Sequence, residues 1–142
     1  MQYKLVIEKD DLEGGWFASF PDIPEALTGG DTLEEAKTMA ADALVTALEF
    51  YFEDERLIPL PEPLHAGDDY IELPASVTAK VLLLNAMLRS GITQAELARK
   101  LGTRPQEVTR LVRLGHATRI DTIANALQVL GWRLEMTAIP GA

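Results

Sequence analysis

The chain has 142 residues, 47% of them hydrophobic, with no cysteine and two histidines, His65 and His116. That composition excludes wholesale disorder, a disulfide framework, a thiolate nucleophile and a zinc site built from cysteine and histidine. The net charge of −9 is unevenly divided: residues 1–74 hold four Lys or Arg against 18 Asp or Glu, net −14, and residues 75–142 hold nine against four, net +5. In chain order, Tyr3, Leu5 and Ile7 alternate with Lys4, Val6 and Glu8, and Trp16, Ala18 and Phe20 alternate with Phe17 and Ser19, the period of half-buried strands. The polar run KDDLEGG between them reads as a hairpin turn, and Pro21 and Pro24 stop the second strand. A third strand fits around Leu27, before Gly29, Gly30 and Asp31.

Thr32 and Glu35 have capping-box spacing and open a helix that runs to about Phe52. Its packed face is Leu33, Ala36, Ala40, Ala43, Leu44, Ala47, Leu48 and Tyr51, and its solvent face carries Glu34, Lys37, Asp42 and Glu49. Pro59, Pro61 and Pro63 force extended structure suited to a linker or an edge segment, and Tyr70–Leu73 offers a last strand. From Pro74 helical periodicity takes over. Val77, Val81, Leu84 and Leu88 share a face of a helix ending near Ser90 and Gly91. Thr93 and Glu96 repeat the capping box before a helix with Ala95, Leu97, Ala98 and Leu101 inward, and Gly102 permits a tight turn into a helix from about Arg104 to Leu114. A further helix covers Ile120 to Leu130, burying Ile123, Ala124, Ala126, Leu127 and Leu130, and Trp132, Leu134 and Met136 alternate as a terminal strand. The expected fold class is therefore α+β: a small N-terminal antiparallel sheet with one packed helix (1–58), a linker and edge strand (59–73), and an all-helical C-terminal domain with a terminal strand (74–142).

Two helices joined at Gly102, with the small Ala98 at their contact, leave Thr103, Arg104, Gln106, Thr109, Arg110 and Arg113 outside, side chains suited to base edges and phosphates. The stretch TQAELARKLGTRPQEVTRL resembles the lambda-repressor and Cro type of helix-turn-helix. The resemblance implies operator DNA as a partner, with Gln94 holding a phosphate, Gln106 and Arg110 in the major groove, Arg104 and Thr109 as secondary readers, and Arg113 and Thr103 on backbone phosphate. Pro105 stands where a polar base reader often sits in that family and supplies no donor, and Glu107 reads as a first-turn acid favouring the helix dipole. One such helix contacts few base pairs, so a homodimer is expected, the terminal strand pairing either with its copy, exchanging Trp132, or with its own subunit.

The order β-β-β-α-β with FPDIPEALTGGDTLEEA and ALEFYFEDERLIPLPEP resembles the HicB antitoxin family, and the likeness continues through SVTAKVLLLNAMLRSGITQAELARKLG and RIDTIANAL. It implies a partial ribonuclease-H-like N-terminal domain and a type II toxin–antitoxin system, in which the chain masks HicA, a small basic ribonuclease toxin, and represses the shared operon. The acidic half suits a basic partner, and the candidate contacts are the hairpin acids Asp10, Asp11 and Glu13, the loop acids Asp22 and Glu25, and Trp16 as an anchor. Taken singly, the acids also read as solvated turn positions and Trp16 as a core residue. Two-metal nuclease chemistry needs converging carboxylates, whereas the first strand offers only Glu8 near its end and the second none. No enzymatic activity, metal or cofactor is expected. No run reaches the length of a membrane helix and MQYKLVIEKD lacks the order of a secretory signal, so a cytoplasmic, membrane-free protein is expected. The competing readings are a stand-alone transcriptional regulator with a ligand- or protein-sensing N-terminal domain, and a pure interaction module.

Overall fold

Alternation places Tyr3 and Leu5 on one side of β1 (Gln2–Lys9) and Ala18 on the same side of β2 (Trp16–Ser19), and all three are buried. The computed structural model describes residues 1–141, which form an α+β chain of two compact units with the boundary after Thr78. In the first unit β3 (Leu27–Gly30) and β4 (Asp69–Glu72) complete an antiparallel sheet of order β3-β2-β1-β4. Helix α1 (Leu33–Glu53) packs against β1, β2 and β3. Its buried stripe is Ala36, Ala40, Leu44, Ala47, Leu48, Tyr51 and Phe52, while Leu33, expected inside, is 40% exposed because it stands in the first turn. The Thr32 hydroxyl accepts the Glu35 amide at 3.1 Å and starts the helix. At Gly30 a Cβ would lie 2.7 Å from the Ala36 nitrogen, so the absence of a side chain lets the helix start pass directly over β3. The proline stretch is fastened to this unit: the Tyr3 hydroxyl donates to the Pro59 carbonyl at 2.8 Å, the Glu62 amide donates to Asp22 at 3.2 Å, and Ile58 is buried.

The division falls within α2 (Ala75–Ser90). This helix is buried on more sides than its Val81–Leu84 face predicts: Ala79, Leu83, Ala86 and Met87 join Leu97, Ala98, Val108, Leu111, Ile123, Ala126 and Leu127 in the second unit's core. Those partners come from α3 (Gln94–Leu101), α4 (Pro105–Leu111) and α5 (Ile120–Val129). Ala95 is exposed, not inward, since Leu97 and Ala98 alone occupy the fully buried side of the short α3. Helix α4 ends three residues before the expected Leu114, and Arg113 lies beyond its C-cap Val112.

The terminal strand expected over Trp132–Met136 does not form. After Gly131, the Trp132 amide donates to the Leu127 carbonyl at 2.9 Å and residues 132–141 take no regular secondary structure. Leu134 packs on the core, whereas Trp132, Met136 and Ile139 are 50%, 73% and 75% exposed. An alternating segment becomes a strand only by sharing a ladder, and among the described residues the second unit holds no other strand.

Candidate functional site

In the second unit a reciprocal capping box sets the start of α3. Thr93 Oγ1 accepts the Glu96 amide at 3.1 Å, and Glu96 Oε1 accepts the Thr93 amide at 3.3 Å and its hydroxyl at 2.9 Å. Those bonds, first the hydroxyl and then the amide, hold the Glu96 carboxyl below the usual carboxylate range. Gly102 ends α3 in the left-handed conformation, φ 67°, and the Thr103 amide returns to the Ala98 carbonyl at 3.0 Å, which turns the chain within three residues. Arg104 is the N-cap of α4 and makes no side-chain cap bond, so its guanidinium is not committed to the helix. Pro105 occupies the first turn, where its missing N–H costs no helix bond.

Of the residues expected at DNA, Gln94 and Thr109 are brought together. The Thr109 hydroxyl is 3.2 Å from Gln94 Oε1 and 3.2 Å from the Pro105 carbonyl, linking the start of α3 to the body of α4, and both side chains are half-buried. Gln106 and Arg110, four residues apart on α4, share an exposed face, with Arg104 exposed before it, Thr103 half-buried in the turn and Arg113 exposed after it. Arg110 Nη1 lies 3.4 Å from Glu107 Oε1, a solvent-exposed pair that holds neither side chain firmly. Glu107 thus faces Arg110 as well as standing in the first turn.

The largest feature absent from the sequence reading is Lys80. It is 2% exposed in the middle of α2, and its ammonium donates to the carbonyls of Arg110 at 3.1 Å, Arg113 at 2.6 Å and His116. Burial pushes its pKa down. The signal available in the sequence is a lone cation inside the apolar run AKVLLLNAM.

In the first unit the candidate acids divide into two groups. Asp10 caps its own turn, accepting the Leu12 amide at 3.0 Å and the Glu13 amide at 3.2 Å. Asp22 accepts the Glu62 amide, and Glu25 accepts the Tyr51 hydroxyl at 2.6 and 2.9 Å, with the Arg56 guanidinium 4.0 Å over the Tyr51 ring. Asp10, Asp22 and Glu25 therefore hold structure, whereas Asp11 and Glu13 project from the hairpin. Trp16 is half-buried, opposite Lys9 on one side and Gly30 on the other. Beside them lie exposed apolar groups outside the expected set: Leu12, 97% exposed at the hairpin, and Phe17 and Leu27, which the register places on the open face of the sheet, away from α1. Phe17 was out of phase with the buried Ala18, the pattern that puts it on that face.

Among the described residues no group of three or more His, Asp or Glu is placed to hold a metal ion, and no helix is long and apolar enough to cross a membrane. A family profile described as the HicB-like antitoxin of bacterial toxin–antitoxin systems matches residues 2–82. The chain belongs to this HicB-like family. It is 61% identical to Antitoxin HicB 2 of Photorhabdus laumondii over 139 residues, covering 98% of this chain and 97% of that protein. It is 57% identical to Antitoxin HicB of Escherichia coli K12 over 127 residues, 89% of this chain and 92% of the relative. Antitoxin HicB of Pseudomonas fluorescens is 42% identical over 135 residues, covering 94% and 92%. The HicB-like profile spans the sheet, α1 and the first half of α2, and the full-length relatives extend the likeness through α3, α4 and α5.

Proposed function

We propose that this chain is the antitoxin of a type II toxin–antitoxin system: it binds and neutralises a HicA-type mRNA-cleaving toxin through its first unit, and represses its own operon through α3 and α4 as a homodimer in the cytoplasm. The observation that carries the reading is the near-full-length identity to proteins named HicB antitoxins. For the toxin face, the support is a first half with net charge −14 and exposed apolar groups, Leu12 between the projecting acids Asp11 and Glu13 and Phe17 on the open face of the sheet. Acidic charge speeds capture of a basic partner, and apolar anchors supply the lasting contact. Masking an RNA-binding surface needs no chemistry, so neutralisation is steric and electrostatic and the protein is not an enzyme. For the DNA face, the support is the tight turn at Gly102 followed by Arg104, Gln106, Arg110 and Arg113 on an exposed cationic edge. One such helix reaches only a few base pairs, so operator binding calls for two copies on two half-sites, which supports the homodimer.

The test is co-expression of the full chain with the small basic protein encoded beside it, reading growth rescue and co-purification, together with binding of the full chain to the duplex upstream of its own reading frame. Rescue, co-purification and salt-sensitive duplex binding are expected. Duplex binding without rescue or co-purification refutes the antitoxin reading and leaves a transcription regulator.

A further inference from the structure

Lys80 is a buried cation whose three donors meet three backbone carbonyls, those of Arg110, Arg113 and His116. Removing an ammonium from water is unfavourable, and an apolar side chain of similar length would fill this position among Ala79, Val81, Leu83 and Leu84 without that cost. The acceptors explain what the charge does there. The Arg110 carbonyl is among the last of α4, which have no partner within the helix and carry the negative end of its dipole, and those of Arg113 and His116 belong to the turns that follow. Helix α4 has seven residues, too few to persist alone, and is pinned by Val108 and Leu111 on its inner side. Among the described residues, the backbone bonds of the stretch from Arg113 to His116 are short-range turns, the Arg113 amide to the Arg110 carbonyl and the His116 amide to the Arg113 carbonyl, each at 3.3 Å. Lys80 is the group that reaches across from α2 and gathers this whole segment. Two of the three carbonyls it grips belong to Arg110 and Arg113, the exposed guanidinium residues on either side of the helix end.

We propose that Lys80 is a positioning residue for duplex binding: its ammonium ties the backbone from Arg110 to His116 to α2, so that Arg110 and Arg113 are presented to DNA in one preset geometry. This rests on the reading of α3 and α4 as the DNA face. Without the tether, the same two side chains remain present and charged, but the segment carrying them must be ordered on binding, which lowers affinity. The effect is on arrangement, not on the number of cations at the surface, since Lys80 itself does not reach solvent.

The experiment uses the full chain with Lys80→Met and Lys80→Gln, the second retaining a donor without the charge. Amide hydrogen exchange monitors α3, α5 and residues 110–116 separately. Affinity for the duplex upstream of its own reading frame, and for a mixed-sequence duplex, is measured across a salt series below the unfolding transition. The expected result is unchanged protection in α3 and α5, lost protection over 110–116, at least tenfold weaker binding to the upstream duplex, and a log K against log salt slope smaller by about one, since a lost phosphate contact such as that of Arg113 removes ~0.9. Lys80→Gln falls between wild type and Lys80→Met, and carries the test if Met prevents folding. A variant folded at α3 and α5 that keeps the wild-type affinity and slope overturns the proposal, as does an affinity loss fully accounted for by the unfolded fraction with the slope unchanged. Failure of the wild-type chain to bind either duplex instead removes the DNA-face reading, and the proposal with it.

Discussion

Gly102→Ala and Gly115→Ala make the same chemical change in the same unit and should have opposite effects. Gly102 sits at φ 67°, ψ 33°, where an L residue meets its own carbonyl, and an added Cβ would touch nothing else within 4 Å. The cost is therefore conformational alone: about 1–2 kcal/mol for the left-handed geometry, reduced by ~0.5 kcal/mol because alanine also restricts the unfolded chain. Gly115 has no positive φ and equally open surroundings, so only the unfolded-state gain remains, a stabilisation of ~0.5 kcal/mol. For a unit of this size 1 kcal/mol moves Tm by about 4–8 °C. Thermal unfolding of the full chain, followed through backbone resonances of α3, α4 and α5, should show Gly102→Ala melting several degrees lower and Gly115→Ala unchanged or slightly higher. Equal destabilisation by both substitutions, or none by Gly102→Ala, would show that the turn between α3 and α4 does not depend on a left-handed residue.

Thr93→Ala removes the two hydroxyl bonds of the α3 capping box, leaving the residue-93 amide to Glu96, and should cost the second unit about 1 kcal/mol, measured by urea unfolding at neutral pH. Because Glu96 titrates below its ordinary value of 4.5 in the folded chain, its contribution is present above that pH and is lost as pH falls through the lowered folded value; Thr93→Ala should flatten this acid-side loss. Tyr3 and Tyr51 are both raised above 10.0, Tyr3 by burial, then Asp22 and Tyr51, and Tyr51 by burial, then the Glu25 bond. Stability from them is complete below pH 10.0 and lost as pH rises through the folded values, so the first unit should unfold in alkali, and Tyr3→Phe should shift that transition to higher pH while costing about 1 kcal/mol at neutral pH. Leu97→Ala empties a fully buried position in the second core and should cost ~3 kcal/mol there, leaving the resonances of the sheet and α1 intact. Arg110→Ala should abolish binding to the upstream duplex and leave toxin neutralisation unchanged, read by gel shift and growth rescue; loss of both together would mean the two activities are not separable.

Period alone, without any partner in view, places β1, β2, α1, α3 and α5 to within a residue or two, because each shows an apolar repeat that one covered face explains. Local chemistry did as much for the ends: Thr32, Thr93 and Gly102 act within four residues of themselves, so their roles survive any tertiary arrangement. Side-chain duties across the fold were not legible in this way. Asp22 and Glu25 read as surface acids, yet they are ties to Glu62 and Tyr51, 40 and 26 residues away. Trp132, Leu134 and Met136 alternate as a strand should, but a strand is a property of two segments, and among the described residues its unit holds no second one. Sequence by itself determined the elements, their caps, the acidic and basic halves and the exposed cations of α4. Only tertiary structure decided that α2 is buried on opposite sides, that α4 stops at Leu111, and that Lys80 closes its end, since a cation is tolerable inside a helix bundle only when distant carbonyls converge on it.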